Sequence, residues 1–107
     1  MDDKYSESIS LPDILSIRNI SEIYQSMTVK FRDSKTLVLE VAEDAEADLS
    51  FVQLVDSARA EAKASGKTLR LSSPATGSVL KVLQRGGFVE AFTAEDAQFW
   101  LHKEVHS

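Results

Sequence analysis

Apolar and polar positions alternate between two periods along this chain, and the switching predicts an α/β order of elements. Ser8-Ile9-Ser10-Leu11 alternates as a half-buried strand does, and Pro12 limits it. From Asn19 onward, Ile20, Ile23, Tyr24, Met27 and Phe31 fall at helical spacing, and Asn19 with Glu22 matches a capping box. Thr36-Leu37-Val38-Leu39-Glu40-Val41 is β-branched and almost continuously apolar, which predicts a central strand buried on both faces. Phe51, Leu54, Val55, Ala58 and Ala62 then form a helical stripe that Gly66 terminates.

A strand over Lys67 to Leu71 follows, and Ser73-Pro74 is expected to open a third helix that Gly86-Gly87 closes. Phe88 to Phe92 reads as short and extended. Thr93 caps a last helix whose Ala97, Trp100 and Leu101 share a face. Short connections between alternating elements make the central strands parallel. The expected fold is one α/β domain over residues 1–107, with flexible ends at 1–7 and 103–107. Its sheet is small and mixed, with about four strands and about four helices mainly on one side.

The 107 residues suit a single core. No apolar run approaches the roughly 20 residues of a membrane span. The acidic start, Met1-Asp2-Asp3-Lys4, lacks the basic residues and apolar middle of a secretion signal. With no cysteine present, a cytoplasmic location is expected. The formal net charge of -5 is opposite to what a phosphate backbone attracts, so no nucleic-acid partner is expected.

Chemistry-bearing patterns are sparse. His102 and His106 stand at i and i+4, but without the catalytic-Glu arrangement of a zinc helix, so no metal is expected. No Gly-x-Ser-x-Gly elbow occurs, and the four glycines form no phosphate-cradling loop. Neither an enzyme nor a cofactor is expected. The run from Glu40 to Asp48 carries five acids and no base, which suits a solvated loop before a helix N-terminus or, as the alternative, an electrostatic docking surface. Next, Ser50 and Gln53 read as a capping box with Leu49 and Leu54 as its hydrophobic staple. Loops past the carboxyl ends of parallel strands are where such folds place function.

The order of Thr36 to Val41, Asp48-Leu49-Ser50, Gly66 to Leu71, Ser73-Pro74 and Gly87-Phe88 resembles a STAS domain over roughly residues 8 to 101. That family includes anti-sigma-factor antagonists, in which an Asp-Ser/Thr-Ser-Gly-Leu motif opens a helix and the hydroxyl after the Asp accepts phosphate from a serine kinase. Here Leu49 occupies the phosphoacceptor position, Ser50 keeps the second serine and Phe51 replaces the glycine. The resemblance implies a docking surface of Asp48, Leu49, Ser50, Val52, Gln53 and Asp56, with Ser50 as a substitute phosphorylation site. The implied partner is an anti-sigma kinase, or a histidine kinase or response regulator. Leu11-Pro12-Asp13-Ile14-Leu15-Ser16-Ile17 is similar to the start of stand-alone STAS proteins of chemotaxis and two-component clusters, and Gln53-Leu54 also to the STAS subunit of phospholipid-transport ATPases.

Overall fold

A computed structural model describes residues 6–103. Its elements are β1 (Ser6–Ser10), β2 (Ile14–Leu15), α1 (Ile20–Arg32), β3 (Thr36–Glu40), β4 (Glu46–Ala47), α2 (Leu49–Ala64), β5 (Thr68–Leu71), α3 (Gly77–Arg85), α4 (Phe88–Ala91) and α5 (Ala94–Leu101). The α/β class is as expected. Among the described residues the strands do not join into a single mixed sheet of four. Instead, β1, β3 and β5 make a three-stranded parallel sheet in the order β1-β3-β5, and β2 and β4 make a separate two-residue parallel pair.

Strand β3 is central, but it is not buried on both faces. Leu37 and Leu39 have no exposed surface, while Val38 between them is half-buried. The register places Leu39 beside Ile9 and Leu71, and places Val38 beside Ser8 and Arg70. Neighbours in register point to the same side of a sheet, so one face is apolar and the other carries Ser8, Glu40, Thr68 and Arg70. Helix α1 packs on β1 and β3, and α2 on β5, over the apolar face. Trp100, Phe51, Met27 and Leu83 complete this core with no more than 2% of their surface exposed.

Several boundaries differ from expectation, each for a local reason. Ser6 and Glu7, expected in a flexible end, pair with Thr36 and Leu37. The expectations for residues 1–5 and 104–107 lie outside the described residues. Asn19 does precede α1, but its side chain makes no cap bond to the helix. Its Oδ1 accepts from Ser16 N–H at 3.1 Å and its Nδ2 donates to the Ile14 carbonyl at 2.5 Å, so it braces the turn before the helix.

Ser73-Pro74 does not open α3. Ala75 N–H is committed to the Trp100 carbonyl at 2.7 Å, and the helix begins after Thr76. Phe88 to Phe92 is not extended. Phe88–Ala91 forms the single turn α4, and Phe88, Val89 and Phe92, the residue that ends it, all pack toward the core. A strand would send Val89 to the opposite side from the two phenylalanines.

Helix α2 ends as foreseen, with Gly66 at φ +72 and Lys67 N–H reaching back to the Ala62 carbonyl at 2.7 Å. Gly77 also has a positive φ, +54, but its surroundings differ. A Cβ there would lie 2.7 Å from the Glu43 carbonyl oxygen, whereas at Gly66 it would meet nothing within 4 Å. Gly66→Ala is therefore expected to cost about 1 kcal/mol, the strain of a left-handed alanine. Gly77→Ala adds a backbone clash to that strain and is expected to cost about 3 kcal/mol. Urea unfolding with unchanged m-value measures both, and equal losses would contradict the close approach of the two loops.

Candidate functional site

Strands β1, β3 and β5 run the same way, so the segments that follow them gather at one end of the sheet. Three of these segments are joined there. Glu46 N–H donates to the Asp13 carbonyl at 2.8 Å and Asp48 N–H to the Leu15 carbonyl at 3.1 Å, which locks β2 against β4. The Ser78 hydroxyl accepts from Ala47 N–H at 2.9 Å and donates to the Ala47 carbonyl at 3.2 Å, tying the start of α3 to β4. Leu15 and Ala45 anchor the loops in the core at 0% and 1% exposure.

Asp48 is the junction of this surface. It caps α2, with Oδ1 accepting from Ser50 N–H at 3.0 Å and from the Ser50 hydroxyl at 2.5 Å. Its Oδ2 accepts from Ile17 N–H at 3.1 Å, so one carboxylate joins the 16–19 turn to the helix start. These bonds, the Ser50 hydroxyl foremost, hold the Asp48 carboxyl below its usual range against a smaller opposing effect of burial. The capping box read at Ser50 and Gln53 is thus not the cap that forms. Ser50 lies in the first turn, one residue beyond Leu49, and its hydroxyl serves Asp48.

Of the six residues expected on a docking surface, Asp48, Leu49, Ser50 and Gln53 come together at the start of α2. Leu49 is 47% exposed and Gln53 lies one turn further on the same side. Val52 does not belong to the surface, because it has no exposed area and sits in the core beside Phe51. Asp56 is exposed but lies two turns away, where it pairs with Arg59 at 3.4 Å. Burial raises its carboxyl above the usual range, with Asp96 adding to the rise and Arg59 opposing it.

The sequence reading missed Ile14 and Ile17 as surface residues, although they are 42% and 68% exposed. Ile17 is bonded through its backbone to Asp48, and Ile14 is in register with Glu46. With Leu49 they place three large exposed aliphatic side chains on the two segments that Asp48 joins. On the same connecting segments Asp13, Arg18, Glu43, Asp44 and Glu46 are exposed, Arg18 directly after Ile17. The available signal was the pair Ile14-Leu15. In a two-residue strand one side chain points inward and the other outward, so adjacent bulky apolar residues leave one in solvent.

Among the described residues no group of three or more His, Asp or Glu is placed to hold a metal ion. His102 ends α5 in the left-handed conformation, and His106 lies outside the described residues. No helix among the described residues is long and apolar enough to cross a membrane.

Removing the cap should show in a pH series. The folded-state pKa of Asp48 is lowered, so its stabilisation is present above the unfolded carboxylate pKa, about 3.9, and is lost as pH falls through the folded value. Asp48→Ala is expected to cost about 1 kcal/mol at pH 7. The difference from the unsubstituted chain should shrink in thermal melts below about pH 4, and a difference independent of pH would contradict the capping role. Comparison of the chain with protein-family models, with curated proteins and with solved structures returned no match.

Proposed function

We propose that this chain is a non-enzymatic regulatory module of the STAS type that works by docking the start of α2 onto a protein partner. The observation that carries the reading is the exposed aliphatic group Ile14, Ile17 and Leu49, held around a carboxylate whose hydrogen bonds fix the backbone. Exposed aliphatic residues with a polar rim are typical of protein interfaces. The exposed charges of the segments carrying this group are acidic except for Arg18 beside Ile17, so the complementary partner offers an apolar pocket bordered mainly by Lys or Arg.

The arrangement favours binding that does not depend on phosphate. Leu49 has no hydroxyl, and the Ser50 hydroxyl is engaged by Asp48 at 2.5 Å. A phosphate on Ser50 would gain from the helix N-terminus but would sit against the Asp48 carboxylate, and like charges at that distance repel. The partner class follows the STAS resemblance: an anti-sigma kinase, or a histidine kinase or response regulator of a chemotaxis-type cluster.

The test is affinity capture from the native cell with the unsubstituted chain, Leu49→Arg and Ile17→Arg, followed by affinity measurement on the purified partner. A signalling kinase or response regulator should be captured, and each substitution should weaken it by about tenfold or more, as expected of a central interface anchor. Unchanged affinity with intact folding would remove this surface from the interface. Recovery of only a lipid-transport ATPase would replace the signalling role with a transport role.

A further inference from the structure

Strand β5 is paired along one edge only. Thr68 N–H donates to the Lys35 carbonyl at 2.8 Å and Ser72 N–H to the Leu39 carbonyl at 2.9 Å, so residues 68, 70 and 72 direct their backbone groups toward β3. Backbone direction alternates along a strand, so the N–H and C=O groups of Leu69 and Leu71 face the opposite edge. No strand pairs with that edge among the described residues. It forms one wall of a groove of about 720 Å³, with Arg59 and Ala60 of α2, Phe99 of α5 and His102 just after α5 among the other walls.

The charges of the groove are unequal in their pairing. Its acids are met from within, Asp96 by Arg59 at 3.0 Å, Asp56 by Arg59 at 3.4 Å and Glu95 by Lys63 at 3.5 Å. Lys67 turns away to donate to the Phe31 carbonyl. Arg70 is exposed on the open face of the edge strand and makes no ion pair among the described residues.

We infer that the open edge of β5 receives an extended segment of a protein partner as a fourth strand. An acidic side chain of that segment lies beside Arg70, and its alternate apolar side chains enter the groove toward Phe99. Edge addition draws affinity from main-chain bonds and selectivity from alternate side chains, and both are provided here. A second copy of this chain is a poorer occupant. The antiparallel register that uses all four open groups sets Leu69 opposite Leu71 in both directions and Arg70 opposite its own counterpart, a repulsive cross-strand pair. This surface is separate from the start of α2, so either site can fail without the other.

The probe is the peptide acetyl-Thr-Val-Glu-Val-Glu-Val-amide, titrated into the full chain and followed by amide hydrogen exchange and backbone chemical shifts. Saturation should slow exchange at Leu69 and Leu71 by about tenfold. Replacing both peptide glutamates by lysine should weaken binding by about fivefold, and Arg70→Glu should reverse that preference. If Arg70→Glu does not fold, comparing the two peptides on the unsubstituted chain still decides the charge requirement. The inference is overturned by unchanged exchange at Leu69 and Leu71, by shifts confined to Ile17 and Leu49, or by equal binding of both peptides. Concentration-dependent protection of Leu69 and Leu71 without peptide would overturn it in favour of a second copy.

Discussion

The structure depends on a central strand that is hydrogen-bonded along both edges but sealed on only one face. Leu37 and Leu39 supply the sealed side, and the packing of α1 on β1 and β3 and of α2 on β5 covers them and their neighbours in register. Parallel sheets usually have both faces covered. Here Ser8, Glu40, Thr68 and Arg70 satisfy the other face with water, so a single helical layer must exclude solvent from the whole core. That demand explains the large residues used at its margins. Trp100 lies 5.1 Å from Phe99 in an edge-to-face pair, and the Arg59 guanidinium stacks 4.4 Å above the Phe99 ring, joining α5 to α2.

The same topology determines where a functional surface can be built. Strands that all run one way deliver their connecting segments to one end, and short two-residue pairing between β2 and β4 stiffens those segments without extending the main sheet. Asp48 then does two jobs with one carboxylate, ending the backbone deficit at the start of α2 and holding the Ile17 turn. A mobile loop bearing Ile14, Ile17 and Leu49 would lose conformational freedom on binding, and the observed bonding has already removed much of it. The apolar side chains are exposed, while the backbone that carries them is fixed.

Much of the fold was legible where periodicity was long or unambiguous. The stripe from Ile20 to Phe31, the run from Thr36 to Leu39 and the Thr93 cap led to α1, β3 and α5 with small boundary errors. The Thr93 cap even closes a full box with Asp96. Legibility failed where tertiary bonds overruled local preference. Phe88 to Phe92 has strand-like composition, but its three large apolar residues are all needed on one side. Pro74 is a good helix opener, but its neighbour Ala75 is held by Trp100. Asp48, Leu49, Ser50 and Gln53, expected together from the sequence, lie together at the start of α2, whereas Val52 shares the buried face of that helix with Phe51, Val55, Ala58 and Ala62. Ile14 and Ile17 were missed as surface positions because a bond across 31 residues brings them to Asp48.

The all-parallel pairing also sets the order in which the molecule can assemble. Ser6 meets Thr36 and Thr36 meets Thr68, so no strand of the main sheet pairs with a neighbour across a tight turn. Each ladder must wait for an entire intervening helix to be present. During synthesis β1 leaves the ribosome with no partner until β3 follows about thirty residues later. Its sequence, Ser-Glu-Ser-Ile-Ser, has only one large apolar residue, which makes that waiting strand a poor template for aggregation.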